Sequence, residues 1–218
     1  RAERLVEQQH LRPADQGAGQ RHALPLAARE LVRQAGLEAH HLDQRQRAQV
    51  ARLLKESRVK LPFGLYITNS VQEEVGLRGA EMIVERIRPD IAICTDVTHD
   101  TQTPMMSKIQ SGDVACGAGP VLSYGPAVHN TLLKRIISAA EKEKIKFQRA
   151  AVSRATGTDT DAFAYGAAGV PSALISLPLR YMHTTVESVH RDDVEDVIKL
   201  IYATVRSLKA GEDLRYIK

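Results

Sequence analysis

The run DIAICTDV, residues 90–97, is apolar over most of its length and carries β-branched side chains. A strand with one face in water alternates polar and apolar residues, whereas a nearly continuous apolar run is typical of a strand buried on both faces. A second run of this kind, PSALISLPL, occupies residues 171–179. A sheet buried on both faces needs helices above and below it, so these runs predict an α/β fold.

Strand and helix patterns alternate from about residue 50 onward. The predicted strands are residues 63–71, 90–97, 147–153 and 171–179. The predicted helices are a first one ending near residue 57, then 79–87, 130–144 and 192–208. This alternation predicts a three-layer α/β/α sandwich around a mixed, mostly parallel sheet. Binding sites in such sheets form at the carboxyl ends of the strands.

Composition argues against several classes of protein. The 218 residues are 43% hydrophobic and 26% charged, as in an ordinary soluble domain. No apolar run is long enough to cross a membrane. Aromatic residues make up only 4%, and the net charge of +4 comes largely from scattered N-terminal arginines, so we expect no nucleic-acid partner. The two cysteines, Cys94 (predicted to be buried core) and Cys116, suit a reducing cytoplasm.

Residues 1–54 differ in composition from the rest of the chain. They use only ten amino-acid types, and each of these types can be encoded by codons that begin with G or C. We therefore hypothesise that some or all of this segment is a frame-shifted translation. The alternative is a natural low-complexity helix rich in Arg, Gln and Ala. The DNA sequence that encodes the segment distinguishes the two.

Carboxylates and an imidazole follow the predicted strands. Glu73 and Glu74 come after the first strand, Asp96 is near the end of the second, and His183 follows the last. This combination suits Zn²⁺, Co²⁺ or Mn²⁺, with one glutamate as ligand and the other as base. Taken singly, each residue has an ordinary explanation as a solvated turn, a helix cap or a surface histidine. The remaining histidines near helix starts and loops are interpreted in that ordinary way: His99, His129 and His190.

Four motifs, in order and with their spacing, resemble the glutamyl aminopeptidase family of dinuclear metallopeptidases. They are VQEEVGLRGA (71–80), ICTDVTHDTQTP (93–104), GAGPVLSYGPAVHN (117–130) and TGTDTDAFAYGAAGVPSALISLPLRYMHTTVE (156–187). The family includes the tetrahedral aminopeptidases and proteins described as cellulase M or endoglucanase. The resemblance extends from about residue 50 to the C-terminus.

The resemblance implies a role for each candidate residue. Glu73 would be the general base, Glu74 and Asp96 would bind one metal each, and His183 would bind the metal paired with Glu74. It also implies two divalent ions (Zn²⁺ or Co²⁺, with Mn²⁺ as a further candidate), a peptide substrate and a homo-oligomer. Gly157, Thr158 and Asp159, together with the loop 117–119, would line the substrate pocket.

The chain also departs from the family pattern. An early His-x-Asp ligand motif and a small β-rich second domain are not visible. Asp43, in HLDQRQ (41–46), is the candidate for the bridging ligand. We therefore divide the chain into an atypical segment, 1–48, and the C-terminal part of a metallopeptidase catalytic domain, 49–218. Two alternatives stay open, an N-acyl amino acid amidohydrolase and a non-catalytic fragment, and the truncated form is predicted to be inactive if its metal site is incomplete.

Limited proteolysis tests the division of the chain. Residues 1–54 contain no Ile, Phe or Met, and their many Arg and Gln side chains lose much entropy on burial. We expect the first cuts within residues 1–48, with the remainder from about residue 50 resisting longer, as followed by mass spectrometry. Uniform resistance across residues 1–54 would show that the segment belongs to the fold.

Overall fold

The computed structural model describes residues 45–212, except 168, together with residues 214 and 216. Its helices are α1 (45–56), α2 (Arg78–Ile87), α3 (Lys108–Ser111), α4 (Asn130–Lys142), α5 (Asp159–Tyr165) and α6 (Arg191–Ser207). Its strands are β1 (Ala92–His99), β2 (Val121–Tyr124), β3 (Gln148–Ala151), β4 (Ser172–Arg180) and β5 (Ser188–Val189). The described residues contain no helix that is long and apolar enough to cross a membrane.

The strands form one mixed sheet with the order β1–β4–β2–β3, and β5 pairs with the end of β4. β1 is parallel to β4, with a register that runs from Ala92 opposite Ser172 to His99 opposite Leu179. β2 is parallel to β3 and antiparallel to β4, over a shorter overlap. Most of the paired residues are therefore in parallel register, which confirms the predicted mixed, mostly parallel sheet.

Helices cover the central strand on both faces. Every residue of β4 except its last is buried, as the apolar run at 171–179 predicts. Helices α4 and α6 pack against each other, and so do α2 and α5, and both α5 and α6 contact β4. Cys94 lies in the resulting core, as predicted. The largest fully buried side chains come from two strands and two helices and are Leu122, Leu132, Leu133, Ile136, Ile175 and Leu200.

The prediction of a strand over residues 63–71 is wrong. These residues are irregular, and Leu65, Tyr66 and Ile67 are exposed. An apolar, β-branched pattern favours a strand only where a neighbouring strand completes the hydrogen-bond ladder. In the described sheet β1 is an edge strand, and no ladder forms between it and this segment.

Helix α1 contacts the C-terminal part of α6. Val50 and Leu54 are buried there against Val205. Gln46, one turn earlier, is only 1% exposed. The predicted division between residues 48 and 49 thus falls inside this helix. The frame-shift hypothesis and the division into two segments stay predictions.

The mixed sheet brings several connections to one edge. The C-terminal ends of β1 and β4 lie together because the two strands are parallel. β2 runs antiparallel to β4, so the loop before β2 reaches this same edge. We call it the carboxyl edge.

Asp100 ties the connections at the carboxyl edge together. Its carboxylate is buried and accepts hydrogen bonds from the N–H of Gln102 (2.7 Å) and of Cys116 (3.2 Å). Arg180, at the end of β4, lies 3.9 Å away. Burial alone would raise the pKa of Asp100, but the hydrogen bonds and the Arg180 charge outweigh it and hold the pKa below the ordinary value of 3.8.

Substituting Asp100→Asn should lower the free energy of unfolding by about 1–3 kcal/mol at pH 7, because charge-assisted hydrogen bonds are lost. A carboxyl with a depressed folded-state pKa contributes stability above its unfolded pKa and loses it as pH falls through the folded value. The difference between wild type and variant should therefore stay constant from pH 7 to 5 and shrink below about pH 4. Urea unfolding at each pH measures this, and a difference that grows in acid would contradict it.

Candidate functional site

Two turns at the carboxyl edge carry the predicted ligands. Glu74 lies in a turn closed by the N–H groups of Gly76 and Leu77, which both donate to the carbonyl of Glu73. His183 lies in the turn after β4, where its backbone has a positive φ of 60°. Its N–H donates to the Glu187 carboxylate at 2.7 Å, which fixes this turn.

The structure brings Glu74 and His183 together. The distance from His183 Nε2 to Glu74 Oε1 is 3.1 Å, and both side chains are about two-thirds exposed, at 67% and 70%. Two ligands on one tetrahedral Zn²⁺, each about 2.1 Å from it, are about 3.4 Å apart. At 3.1 Å the two atoms are within hydrogen-bond distance of each other, and the pair also has donor types that a divalent cation accepts at a similar separation.

Glu73 lies beside this pair and is half-buried. Burial raises the pKa of its carboxyl, and the charges of Glu74 and Asp159 raise it further, whereas His183 acts in the opposite direction. A carboxylate whose proton affinity is increased in this way is a better base than an exposed one.

Asp96 does not join Glu74 and His183 as a third metal ligand. It lies within β1, three residues before the strand ends, and its Oδ1 accepts a hydrogen bond from the N–H of Val97 at 2.7 Å. Within residues 45–212 and the other described positions, no three metal-ligating side chains converge. Asp43, the predicted bridging ligand, lies outside the described residues. The described residues thus bring together two candidate donors of a metal site, Glu74 and His183.

The predicted substrate loop forms the start of α5. Thr158 caps the helix by accepting from the N–H of Thr160. Asp161 accepts from the N–H of Gly157 at 2.9 Å, and Gly157 has a φ of 70° that favours glycine. The Asp159 carboxylate accepts a hydrogen bond from the hydroxyl of Ser70. Burial raises the pKa of Asp159, against the effect of Ser70 and of the Arg47 charge.

Sequence reasoning missed Asp161 and Ser70. The spacing Thr158-x-x-Asp161 matches a capping-box sequence and could have drawn attention to Asp161, although its carboxylate binds the N–H groups of Thr156 and Gly157 and not that of Thr158. Ser70 had no such signal, because its partner is 89 positions away in the chain.

Three further histidines have ordinary structural roles, as predicted. His129 caps α4 and His190 caps α6, each accepting a backbone N–H through Nδ1. His99 is exposed at the last position of β1.

Comparison with known proteins identifies the family. The family model for M42 glutamyl aminopeptidase matches residues 19–200. The chain belongs to the M42 glutamyl aminopeptidase family. The match begins inside residues 1–54, so it includes part of the compositionally atypical segment.

Similar proteins are longer than this M42 chain. It is 39% identical to a lysyl aminopeptidase of Pyrococcus furiosus over 145 residues, which is 66% of this chain and 41% of that protein. A TET aminopeptidase structure from a Thaumarchaeota archaeon has 28% identity and a TM-score of 0.70, covering 76% and 46% of the two chains. The chain thus spans less than half the length of these relatives.

A third similar structure is the Pyrococcus horikoshii TET1 peptidase, with 31% identity and a TM-score of 0.51 over 62% of this chain and 38% of that one. That protein assembles into a tetrahedron or a large octahedral shell.

The glycine-rich loop of this M42 chain, residues 117–119, is fixed from two sides. Asp193, buried in the first turn of α6, accepts from the N–H of Gly117 (2.7 Å) and of Gly119 (2.8 Å). Gln148 on β3 donates to the carbonyls of Ala115 and Gly119. The loop therefore presents a rigid backbone at the carboxyl edge.

Gly119→Ala should destabilise the protein strongly. The residue has a φ of 93°, and a Cβ there would lie 2.2 Å from the carbonyl oxygen of Lys146. Gly112→Ala is a matched control, because Gly112 has a φ of 81° and open space around it. We expect Gly112→Ala to cost about 1–3 kcal/mol from backbone strain, because its φ of 81° and ψ of −174° lie in a region almost restricted to glycine. Gly119→Ala should cost at least about 2 kcal/mol more from the clash, as measured by urea unfolding. Equal costs would show that the loop moves away from Lys146 freely.

Proposed function

We propose that this chain forms part of the catalytic domain of a metal-dependent aminopeptidase that removes N-terminal residues from peptides. The observation that carries the proposal is the Glu74–His183 pair at 3.1 Å beside the half-buried Glu73. A base next to two metal donors at the carboxyl edge of an α/β sheet is an arrangement suited to hydrolysis. Membership of the M42 family agrees with this chemistry.

In this proposal, Glu74 and His183 hold one divalent ion. Asp96 would contribute to a second ion, with further ligands from outside the described residues. Zn²⁺, Co²⁺ and Mn²⁺ all accept carboxylate and imidazole donors. A bound ion would polarise the scissile carbonyl and acidify the attacking water.

Glu73 is proposed as the general base. Its carboxylate takes a proton from the attacking water and later gives that proton to the leaving amine. Residues 157–159 and the fixed loop 117–119 would line the pocket for the peptide. The similarity to assembled TET peptidases supports a homo-oligomer, and we propose a cytoplasmic location.

A non-catalytic role is the second candidate, and one observation favours it. Among the described residues, two metal donors lie close together. A catalytic zinc site has three or more protein ligands. A chain that spans less than half of its relatives could therefore bind an ion without hydrolysing peptides.

The test combines metal content with activity. The full chain is purified, loaded with Zn²⁺, Co²⁺ or Mn²⁺, analysed by mass spectrometry and assayed on aminoacyl-p-nitroanilides that carry basic, acidic and apolar residues. Metal binding with chelator-sensitive release of p-nitroaniline supports the aminopeptidase. Metal binding without hydrolysis supports the non-catalytic role, and hydrolysis of N-acyl amino acids alone would indicate an amidohydrolase.

Glu73→Gln should lower the hydrolysis rate by about 10²- to 10⁴-fold, because the substitution keeps the size of the side chain but removes the basic carboxylate. Metal content should remain that of the wild type. Glu81→Gln, an exposed glutamate on α2, is the control and should keep its activity. A Glu73→Gln enzyme with wild-type turnover would exclude Glu73 as the base.

His183→Ala and Asp96→Ala should each reduce the amount of bound metal. The two residues belong to different elements, the turn after β4 and the strand β1, so we expect the losses to fall on different ions. Titration with Zn²⁺ followed by isothermal calorimetry resolves the two sites. Wild-type affinity in either variant would assign that residue a structural role.

A further inference from the structure

Residues 65–74, which we call the approach segment, lead to the Glu73–Glu74 pair without any strand ladder. Apolar burial does not fix the first part of this segment, since Tyr66 is 70% exposed and Ile67 is 45% exposed. Polar contacts from other parts of the molecule must therefore hold it in place.

Arg47 supplies such contacts from helix α1. Its Nη1 donates to the carbonyl oxygen of Thr68 at 2.7 Å and to Oδ1 of Asn69 at 3.0 Å. Its Nη2 lies 3.5 Å from Oγ1 of Thr95 on β1. One guanidinium thus joins the helix, the approach segment and the edge strand.

The backbone that carries Arg47 is itself fixed. The neighbouring Gln46 is 1% exposed, and Val50, one turn later, is 3% exposed against α6. The next residue of the approach segment, Ser70, donates its hydroxyl to the Asp159 carboxylate at the start of α5. Asp159 in turn experiences the charge of Arg47. Guanidinium, hydroxyl and carboxylate therefore hold three consecutive residues, 68–70.

We propose that Arg47 is a positioning residue that holds the approach segment against β1 and so sets the location of Glu73 and Glu74. The effect on catalysis rests on the proposed function, whereas the effect on the segment does not. Arginine suits this role because its planar fork carries several donors in a fixed geometry. A lysine would bring the same charge with a single ammonium group.

Hydrogen exchange measured by mass spectrometry on the full chain tests the proposal. The reporters are the N–H groups of Gly76, Leu77 and Gly79, which donate to the carbonyls of Glu73 and Val71. In Arg47→Gln these amides should exchange about tenfold faster or more, since charge-assisted hydrogen bonds are lost. Exchange in β2, β3 and β4 should stay unchanged. Arg47→Lys should give an intermediate acceleration.

Arg52→Gln is the matched control. Arg52 is on the same helix but faces solvent, where it pairs with Glu56 at 3.1 Å. Its substitution should leave exchange over residues 65–80 at the wild-type rate. Wild-type exchange in Arg47→Gln, or acceleration spread evenly over β2–β4, would overturn the positioning role.

Kinetics extends the test to the proposed chemistry. With saturating Zn²⁺, Arg47→Gln should lower kcat about tenfold while the metal content stays constant. The reason is that a displaced Glu73 carboxylate is no longer well placed to take the proton from the attacking water. If the wild-type chain shows no aminopeptidase activity, the proposed function fails for this chain, and the exchange result still decides whether Arg47 positions the segment. Accelerated local exchange with unchanged kcat in an active enzyme would show that Arg47 does not set the location of Glu73.

Discussion

The parallel ladder between β1 and β4 determines where Asp96, Asp100 and His183 lie. Its eight residue pairs join the edge strand β1 to the buried strand β4, which helices contact from two sides. Parallel strands end at the same edge, so Asp100 after β1 and His183 after β4 emerge together. The antiparallel β2 then brings the loop 117–119 to this edge as well. The chemistry of the site depends on this one register, because a shift by one residue would turn each strand's side chains to the opposite face.

The edge itself is organised by backbone N–H groups that donate to buried carboxylates. Asp100 binds amides on two loops, Asp161 binds the amide of Gly157, and Asp193 binds those of Gly117 and Gly119. Each of these charges replaces lost water with hydrogen bonds, which is the condition for keeping a carboxylate inside a protein. Glu74 and His183 are instead exposed and close together. The structural carboxylates are thus buried and bound to backbone N–H groups, whereas the candidate metal donors are exposed and contact each other.

The loops at the carboxyl edge and the approach segment are held in place by different kinds of contact, and this difference matters for function. Loops 113–119 and 156–159 are held by several backbone hydrogen bonds each, whereas residues 65–74 depend on side chains from α1 and α5. A base must be within hydrogen-bond distance of its proton, and small displacements are costly in rate. In the role proposed for Arg47, the location of Glu73 and Glu74 depends on these side-chain contacts.

The sequence by itself determined the fold class and most of the strands and helices. The pairing of Glu74 with His183 was implied by the resemblance of four motifs to a known family, and as a metal site it stays a prediction. Buried runs and helical spacing are local signals, and they located β1, β4, α2, α4 and α6. The sequence failed at residues 63–71, since a strand exists only when a neighbour completes its ladder, and neighbours are set by the tertiary structure. For the same reason it could not find Ser70 bound to Asp159, or Arg47 bound to Thr68, whose partners are distant in the chain. Only the folded chain decided which carboxylates are buried and hydrogen-bonded and which face solvent, because burial is a property of the packed molecule and not of the residue.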